Sequence, residues 1–511
     1  MRHLRGTPVF LIGLGQSGQA MARWCLRHGA MVRAWDSRAA EMPAVAALRE
    51  EFPALEIVAG EPTAKALAGI RLVLKSPGLP PHDARIAPLL QVARATGVPV
   101  QAEWDLFAAA LAELNEGQGY APKVLAITGT NGKTTTTAMT TQLVERTGRR
   151  VAMAGNVGPT MLDTLHDALQ RDAAEWPEVW VLELSSFQLH DAAAFAADAA
   201  VVLNVTQDHL DWHGDMAGYA AAKARIYGGG GALVVNRDDA VVMAMLPAAA
   251  PATGKGSRPK VAPREVQRFG LQPPEQPGDF GLVVENGMAW LVRALPLDET
   301  DRPKRGEAPE IHLQRLMPAD ALRVRGRHNA ANALAALALA TAIGCPLAPM
   351  LHGLREYRGE PHRVQWVGAV GDVDAYDDSK GTNVGATVAA LDGLGADRSP
   401  ARLVVILGGD GKGQDFAPLA EPLRRHARAV ALIGRDAPRL QPVVAASGVP
   451  HAHHATLPDA VAWCYAQAQA GDAVLLSPAC ASLDMFSGYA HRAEVFVDAV
   501  RGLALERGEV V

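Results

Sequence analysis

The sequence predicts an α/β protein with largely parallel sheets, divided into several domains. Three observations predict it. Short β-branched runs alternate with longer helical patterns along the chain, and glycine-rich loops stand where a strand runs into a helix. At 511 residues, the chain also exceeds one ordinary hydrophobic core, so about three or four units are expected.

The first apolar run covers residues 9–13, with a helical pattern near 17–28 and a second run at 31–36. A polar, glycine-containing stretch at 115–122 precedes a new run at 124–128, so the first domain is placed at residues 1–117. A third alternating series begins near Val373, after Pro361-His362-Arg363, and includes 403–407, 429–433 and 473–476. The central domain is therefore placed at 118–359 and the last at 360–511. Residues 247–277 and 298–309 are crowded with proline, glycine and charge and show no clean period, which reads as mobile surface insertions. The alanine-rich segment 330–342 reads as a tightly packed soluble helix. No repeat of fixed period is found, which argues against solenoids and propellers.

Charge narrows the function classes. Lys plus Arg number 49 against 54 Asp plus Glu, a net charge of -5, so neither nucleic acid nor an anionic membrane is an expected partner. The four cysteines, Cys25, Cys345, Cys464 and Cys480, form no C-x-x-C pair and suit a reducing, cytoplasmic compartment. The apolar run after Arg2 and Arg5 is interrupted by Gly13 and Gly15 before reaching signal-peptide length. No stretch approaches the roughly 20 apolar residues of a membrane span.

The strongest local motif is Gly129-Thr130-Asn131-Gly132-Lys133-Thr134-Thr135, between an apolar strand and a helical pattern. Glycines there let backbone N–H groups face phosphates, Lys133 neutralises the outer phosphates, and Thr134 offers a hydroxyl to magnesium. Ala126 stands where the strict phosphate-loop pattern has glycine. Gly13-Leu14-Gly15-Gln16-Ser17-Gly18, with Asp36 closing the next strand, fits the dinucleotide fingerprint. The same geometry holds any diphosphate-bearing ligand, a UDP-sugar or a nicotinamide cofactor alike.

Four further loops follow predicted strands, where open α/β sheets bind ligands. Glu183, in Glu183-Leu184-Ser185-Ser186-Phe187-Gln188-Leu189, can hold magnesium, a hard cation that takes oxygen ligands. His209, in residues 204–211, can ligate a second metal or meet phosphate, or be an ordinary surface histidine. Asp377-Asp378-Ser379-Lys380-Gly381-Thr382-Asn383 and Gly408-Gly409-Asp410-Gly411-Lys412-Gly413 each set a lysine among small residues and carboxylates. Such cations suit an acidic substrate and phosphoryl transfer, although each loop alone reads more often as a flexible turn with a solvated lysine. Lys223, on a probable helix, reads on composition alone as a solvated lysine.

Taken together and in order, these motifs resemble the Mur ligases. The likeness rests on residues 128–135, Gly155-Asn156-Val157-Gly158, residues 183–189 and 204–211, the Lys223 helix, His328-Asn329-Ala330-Ala331-Asn332-Ala333, Pro361-His362-Arg363 and the two lysine loops. Within the family, residues 183–189, 378–383 and 477–486 resemble the D-glutamate-adding branch.

The resemblance implies a Rossmann-like N-terminal domain, a central P-loop ATPase domain and a Rossmann-like C-terminal domain. It implies an ATP-dependent ligase of peptidoglycan-precursor synthesis that joins D-glutamate to UDP-N-acetylmuramoyl-L-alanine through an acyl phosphate, acting as a cytoplasmic monomer. Gln16, Ser17, Asp36, Ser37, Arg38, Ser76, Asn156 and Ser185 are then expected at the UDP substrate. Residues 129–135, with Asn329, Arg363, Asp378, Asp410 and Lys412, are expected at ATP. Arg363, Lys380, Thr382, Ser482, Leu483 and Tyr489 are expected at D-glutamate. Two magnesium ions are implied, held by Thr134 and Glu183 and by His209 and a carbamylated Lys223. Lys133, Glu183, His209, Lys223 and Lys380 carry the expected catalytic roles.

Overall fold

A computed structural model describes residues 1–246, 264–298 and 309–509. Its architecture is α/β, with three sheets that are parallel throughout or nearly so and one small antiparallel sheet. In the first, β1 (Pro8–Ile12), β2 (Met31–Trp35), β3 (Glu56–Ile57), β4 (Leu72–Lys75) and β5 (Val100–Gln101) run parallel in the order β3-β2-β1-β4-β5. Strand order reverses beside β1, so the glycine loop that follows it opens at the crevice where such sheets bind ligands.

The central sheet contains β6 (Lys123–Thr128), β7 (Val151–Gly155), β8 (Val179–Glu183), β9 (Ala199–Val202), β10 (Ala232–Asn236) and β11 (Val266–Phe269), in the order β11-β10-β9-β6-β8-β7 and all parallel. Continuous apolar runs suit strands covered on both faces, and every residue of β8 and β9 is buried. Because β9, β6 and β8 are neighbours, the loops after them emerge side by side. The helix Arg327–Ala342 covers this sheet and packs its alanines against the helix Lys133–Glu145.

Two features depart from expectation. The stretch 247–277 contains β11, which pairs with β10 as the sheet's edge; four residues are too few for a period to show, and only the pairing defines the strand. Residues 247–263 of that stretch and 299–308 of the second lie outside the described residues. A three-stranded antiparallel sheet, β12 (Phe280–Glu285), β13 (Met288–Pro296) and β14 (Ile311–Pro318), stands apart from the parallel pattern of the other three.

The third sheet has β15 (Gln365–Val370), β16 (Val373–Asp377), β17 (Leu403–Gly408), β18 (Ala427–Ile433), β19 (His451–His453) and β20 (Ala473–Leu476), in the order β15-β16-β20-β17-β18-β19. Only β15, at one edge, runs antiparallel. Here β16, β20 and β17 are adjacent, which sets the loops at 378–383, 477–485 and 409–413 along one rim. Among the described residues no helix is long and apolar enough to cross a membrane.

Candidate functional site

The phosphate loop leaves β6 at the middle of the central sheet and runs into the helix Lys133–Glu145. Gly132 has φ +81°, and a Cβ there would come within 2.6 Å of Asn332 Oδ1, so glycine meets both a turn and a close approach. Lys133 folds back on its own loop, donating to the carbonyls of Gly129 (2.9 Å) and Thr130 (2.8 Å). Loss of water lowers its pKa, partly offset by Glu183. Asn131 is held by Asn204, whose side chain accepts its N–H (2.9 Å) and donates to its carbonyl (3.1 Å).

Glu183 closes β8 and is 3% exposed, and its Oε1 accepts from Asn156 Nδ2 at 3.0 Å. Ser185 caps the helix Ser186–Asp191 in a reciprocal arrangement with Gln188. Asn156 and Ser185 thus stand on the central sheet beside Glu183, whereas the other residues expected at the UDP substrate gather around the Gly13 loop. His209, with φ +53°, precedes the short helix Leu210–His213 and packs edge-on against Phe187. Burial lowers its pKa against the pull of Asp208, and Lys412, Lys133 and Lys223 lower it further.

Lys223 is not a solvated lysine. It is 1% exposed, its Nζ donates to Gly129 O at 2.8 Å, and it lies 4.6 Å from the centre of the Tyr219 ring. Burial, reinforced by Lys133, holds its pKa well below the usual lysine range. Helix periodicity could not show this, because the face of Met216–Ala224 bearing Lys223 meets the back of the phosphate loop.

Around the first crevice, Asp36 Oδ2 accepts from the Leu14 N–H (2.8 Å) and Oδ1 from the Arg38 N–H (2.9 Å), which braces the glycine loop. A Cβ on Gly18 would collide with the Gly13 carbonyl. Ser76, 7% exposed, follows β4 and faces Gly13 and Gly15. Gln16, Ser37 and Arg38 are exposed at the mouth and Ser17 is half-buried.

From the third lobe, Arg363 Nη2 donates to Thr134 Oγ1 at 2.7 Å, joining the two sheets at the phosphate loop. Lys380 lies 3.6 Å from the centre of the Tyr489 ring, a cation–π contact. Asp378 is buried, and loss of water pushes its carboxyl up to about 7 although Ser477 donates to it at 2.7 Å. Asp410 exchanges backbone hydrogen bonds with Ala481, which ties the Lys412 loop to Ser482, and its carboxylate meets Arg435. Thr382 donates its N–H to Lys380 O; Ser482 is buried and Leu483 is 73% exposed. Asn329 accepts from Asn332 and donates to Arg325 O, beneath the phosphate loop.

Three residues outside the expected set also shape the site. Arg492, fully buried, donates to Ser379 O (2.8 Å) and Cys480 O (3.1 Å), holding two loops of the third rim together. Asn332 touches Gly132. Asn383 reaches the phosphate loop from the third lobe. Asn332 and Asn383 stand within motifs that carry the family resemblance but with no role expected for them, and Arg492 stands in none; their contacts span long sequence separations that no local pattern gives. The arrangement as a whole sets Lys133, Lys223, Arg363, Lys380 and Lys412 around Glu183, Asp208 and Asp378, which suits a polyanion and a carboxylate brought together.

Three family profiles match the chain: "Mur ligase MurD-like, N-terminal domain" over residues 7–102, "Mur ligase middle domain" over 127–260 and "Mur ligase, glutamate ligase domain" over 362–480. A relative from Albidiferax ferrireducens called UDP-N-acetylmuramoylalanine--D-glutamate ligase is 57% identical, covering 99% of this chain and 98% of its own. One of the same name from Burkholderia pseudomallei is 58% identical, covering 98% of each. Among solved structures, MurF ligase from Thermotoga maritima in complex with ADP aligns with a TM-score of 0.56 at 18% identity, over 98% of this chain and 96% of that one. UDP-N-acetylmuramate-alanine ligase MurC of the same organism aligns at 0.53 and 20% identity, over 97% and 99%.

Proposed function

Since the chain belongs to the Mur ligase family, we propose that it joins D-glutamate to UDP-N-acetylmuramoyl-L-alanine, converting ATP to ADP and phosphate, in peptidoglycan-precursor synthesis. The observation that carries this reading is the meeting of the phosphate loop with Arg363 at Thr134, on a segment that the Lys380 N–H to His362 O and the Val364 N–H to Asp378 fasten to the Asp378–Lys380 loop. The full-length relatives named for this reaction supply the identity of the acceptor.

The first step is attack of the L-alanyl carboxylate on the γ-phosphorus of ATP, releasing ADP and leaving an acyl phosphate. Lys133, Lys380 and Arg363 lower the repulsion between a carboxylate and a polyphosphate, an electrostatic task. The D-glutamate amine then attacks the acyl carbon, a tetrahedral intermediate collapses, and phosphate departs. Residues 1–117 hold the uridine diphosphate at the Gly13 loop, residues 118–359 hold ATP, and residues 360–511 hold the amino acid between Lys380, Thr382, Ser482, Leu483 and Tyr489.

Among the described residues no three His, Cys, Asp or Glu side chains gather into a metal cage. Magnesium does not need one, because it binds through one or two carboxylates together with substrate phosphates and waters. Thr134 and Glu183 would hold one ion, and His209 with a carbamate on Lys223 a second. When bound, the ions would neutralise charge developing on the transferred phosphoryl group. An ammonium has three donors and no acceptor, so Lys223 can take part only after its neutral amine adds carbon dioxide and loses a proton. Its burial and the neighbouring Lys133 favour that neutral amine.

Phosphate release by the purified chain, offered D-glutamate, L-glutamate, L-alanine or meso-diaminopimelate with UDP-N-acetylmuramoyl-L-alanine, tests the reaction. D-Glutamate alone is expected to stimulate release, and equal rates with L-glutamate would remove the assignment. For the carbamate, a resonance from 13C-labelled carbon dioxide is expected in the wild type and absent in Lys223→Ala, whose lost activity acetate partly restores. Full activity in Lys223→Ala defeats that role.

A further inference from the structure

Asn383 stands where the amino-acid loop of the third lobe runs into the helix Val384–Arg398. Its Oδ1 caps that helix, accepting the Ala386 N–H at 2.9 Å. The same amide crosses to the phosphate loop: Asn383 Nδ2 donates to Asn131 Oδ1 at 3.0 Å, and Asn131 Nδ2 donates back to Asn383 Oδ1 at 3.3 Å. Asn383 Nδ2 also lies 3.4 Å from Asp208 Oδ2, next to His209. Asn383 is 5% exposed, so these are protected contacts. The helix start is pressed against the same place, since a Cβ on Gly385 would come within 2.6 Å of Thr206 Oγ1 and 3.1 Å of Asn131 Nδ2.

An amide pair of this kind uses one donor and one acceptor from each partner, so it closes in one relative orientation and is lost if either side chain supplies only half the set. Asn131 is fastened on its other side by Asn204. Asn383 is three residues from Lys380, whose carbonyl accepts the Thr382 N–H. A displacement of the amino-acid loop is therefore felt at the phosphate loop through one pair of side chains.

We propose that Asn383 is a positioning residue that sets the amino-acid loop in register with the phosphate loop through Asn131, so that the acceptor amine meets the acyl phosphate only when the second and third lobes are closed. This rests on the ligase reading above and adds to it a link between its two half-sites.

The test separates bridging from capping. Asn383→Ser keeps an N-cap of similar strength but is too short to reach Asn131; Asn383→Asp keeps cap and reach but replaces the donor with an acceptor facing Asp208 and Asn131 Oδ1. Expected for Asn383→Ser is an unchanged melting temperature and a kcat for D-glutamate-dependent phosphate release reduced about 10- to 100-fold, the scale of two neutral hydrogen bonds. The KM for the UDP substrate, held at the far seam, stays as in the wild type. Asn383→Asp is expected to lose at least as much. Combining Asn383→Ser with Asn131→Ser should cost little beyond either alone, as for partners in one contact. Wild-type kcat and D-glutamate KM in Asn383→Ser, with a loss only in Asn383→Ala, would overturn the proposal and leave Asn383 a helix cap. A wild-type chain inert toward D-glutamate defeats the ligase reading instead. In that case small-angle scattering with an ATP analogue decides the bridge: Asn383→Ser should be more extended than wild type, and identical profiles would overturn it.

Discussion

The two seams of the molecule are built differently. Between the first and second lobes one hydrophobic core is continuous, running from Val9, Leu11 and Trp24 through Trp104 and Phe107 of the helix Glu103–Gln118 to Trp180 and Leu182 of the central sheet. Charged groups are buried along that seam. Lys75 Nζ meets Asp191 Oδ2 at 2.6 Å with 1% and 7% of the side chains exposed, Glu103 accepts the Leu162 N–H at 3.1 Å, and Arg23 grips Asp163 with two hydrogen bonds. The third lobe keeps its apolar residues to itself, in two clusters that lie wholly between Val364 and Ala504. Its meeting with the central lobe runs through side chains of the reaction site, Arg363 on Thr134 and Asn383 on Asn131 and Asp208, and through a close helix contact in which Gly326 and the buried His328 press against Gly393. Parting the first seam would expose a continuous apolar core and strand buried charge, whereas parting the second would chiefly break polar contacts and uncover the smaller packing of Gly326 and His328 on Gly393. The first seam is thus held chiefly by apolar burial, and the second chiefly by polar contacts at the reaction site.

The largest effect that could break this contrast is at Lys75. Lys75→Met leaves Asp191 charged and buried, for which about 3–5 kcal/mol of lost stability is expected, read as the urea midpoint of tryptophan fluorescence. Lys75→Met with Asp191→Leu should recover most of it. A single variant as stable as wild type would show that the seam does not depend on the pair.

At the other seam the balance reverses. Arg363→Ala is expected to lower kcat/KM about 10²- to 10³-fold, the scale of one preorganised donor at a site of developing charge, while thermal unfolding stays near the wild type. A large fall in melting temperature would mean that the second seam is structural after all.

A pH series sharpens the contrast further. Loss of water pushes the Glu103 carboxyl from 4.5 up to about 7. The folded state then holds a proton that the unfolded state has released between those two values. Stability therefore falls as pH rises from about 4.5 to 7, by about 3 kcal/mol in all, and stays low above it. Glu103→Gln keeps an acceptor for Leu162 and should lack this slope, so it gains on the wild type between pH 5 and pH 8. Parallel profiles would show that Glu103 carries no such burden. The smallest expected effect is at Arg23, about a quarter exposed, where Arg23→Ala should cost about 1 kcal/mol.

By itself the sequence determined every element whose signal is local. Strand, glycine loop and helix at Gly13 and at Gly129, the strand ending at Glu183, and the lysine loops after β16 and β17 were legible because each needs particular residue types within a few positions of one another. The family resemblance ordered them into one site. Tertiary structure alone decided what depends on contact across the fold. Lys223 became a buried amine only because its helix lies against the phosphate loop, and β11 became a strand only by pairing with β10. Asn383 found Asn131 across 252 residues of chain, and Lys75 found Asp191 across 116. Burial and pairing at such range belong to packing, which removes water from one face of an element and leaves it on another, and no periodicity along the chain records which face that will be.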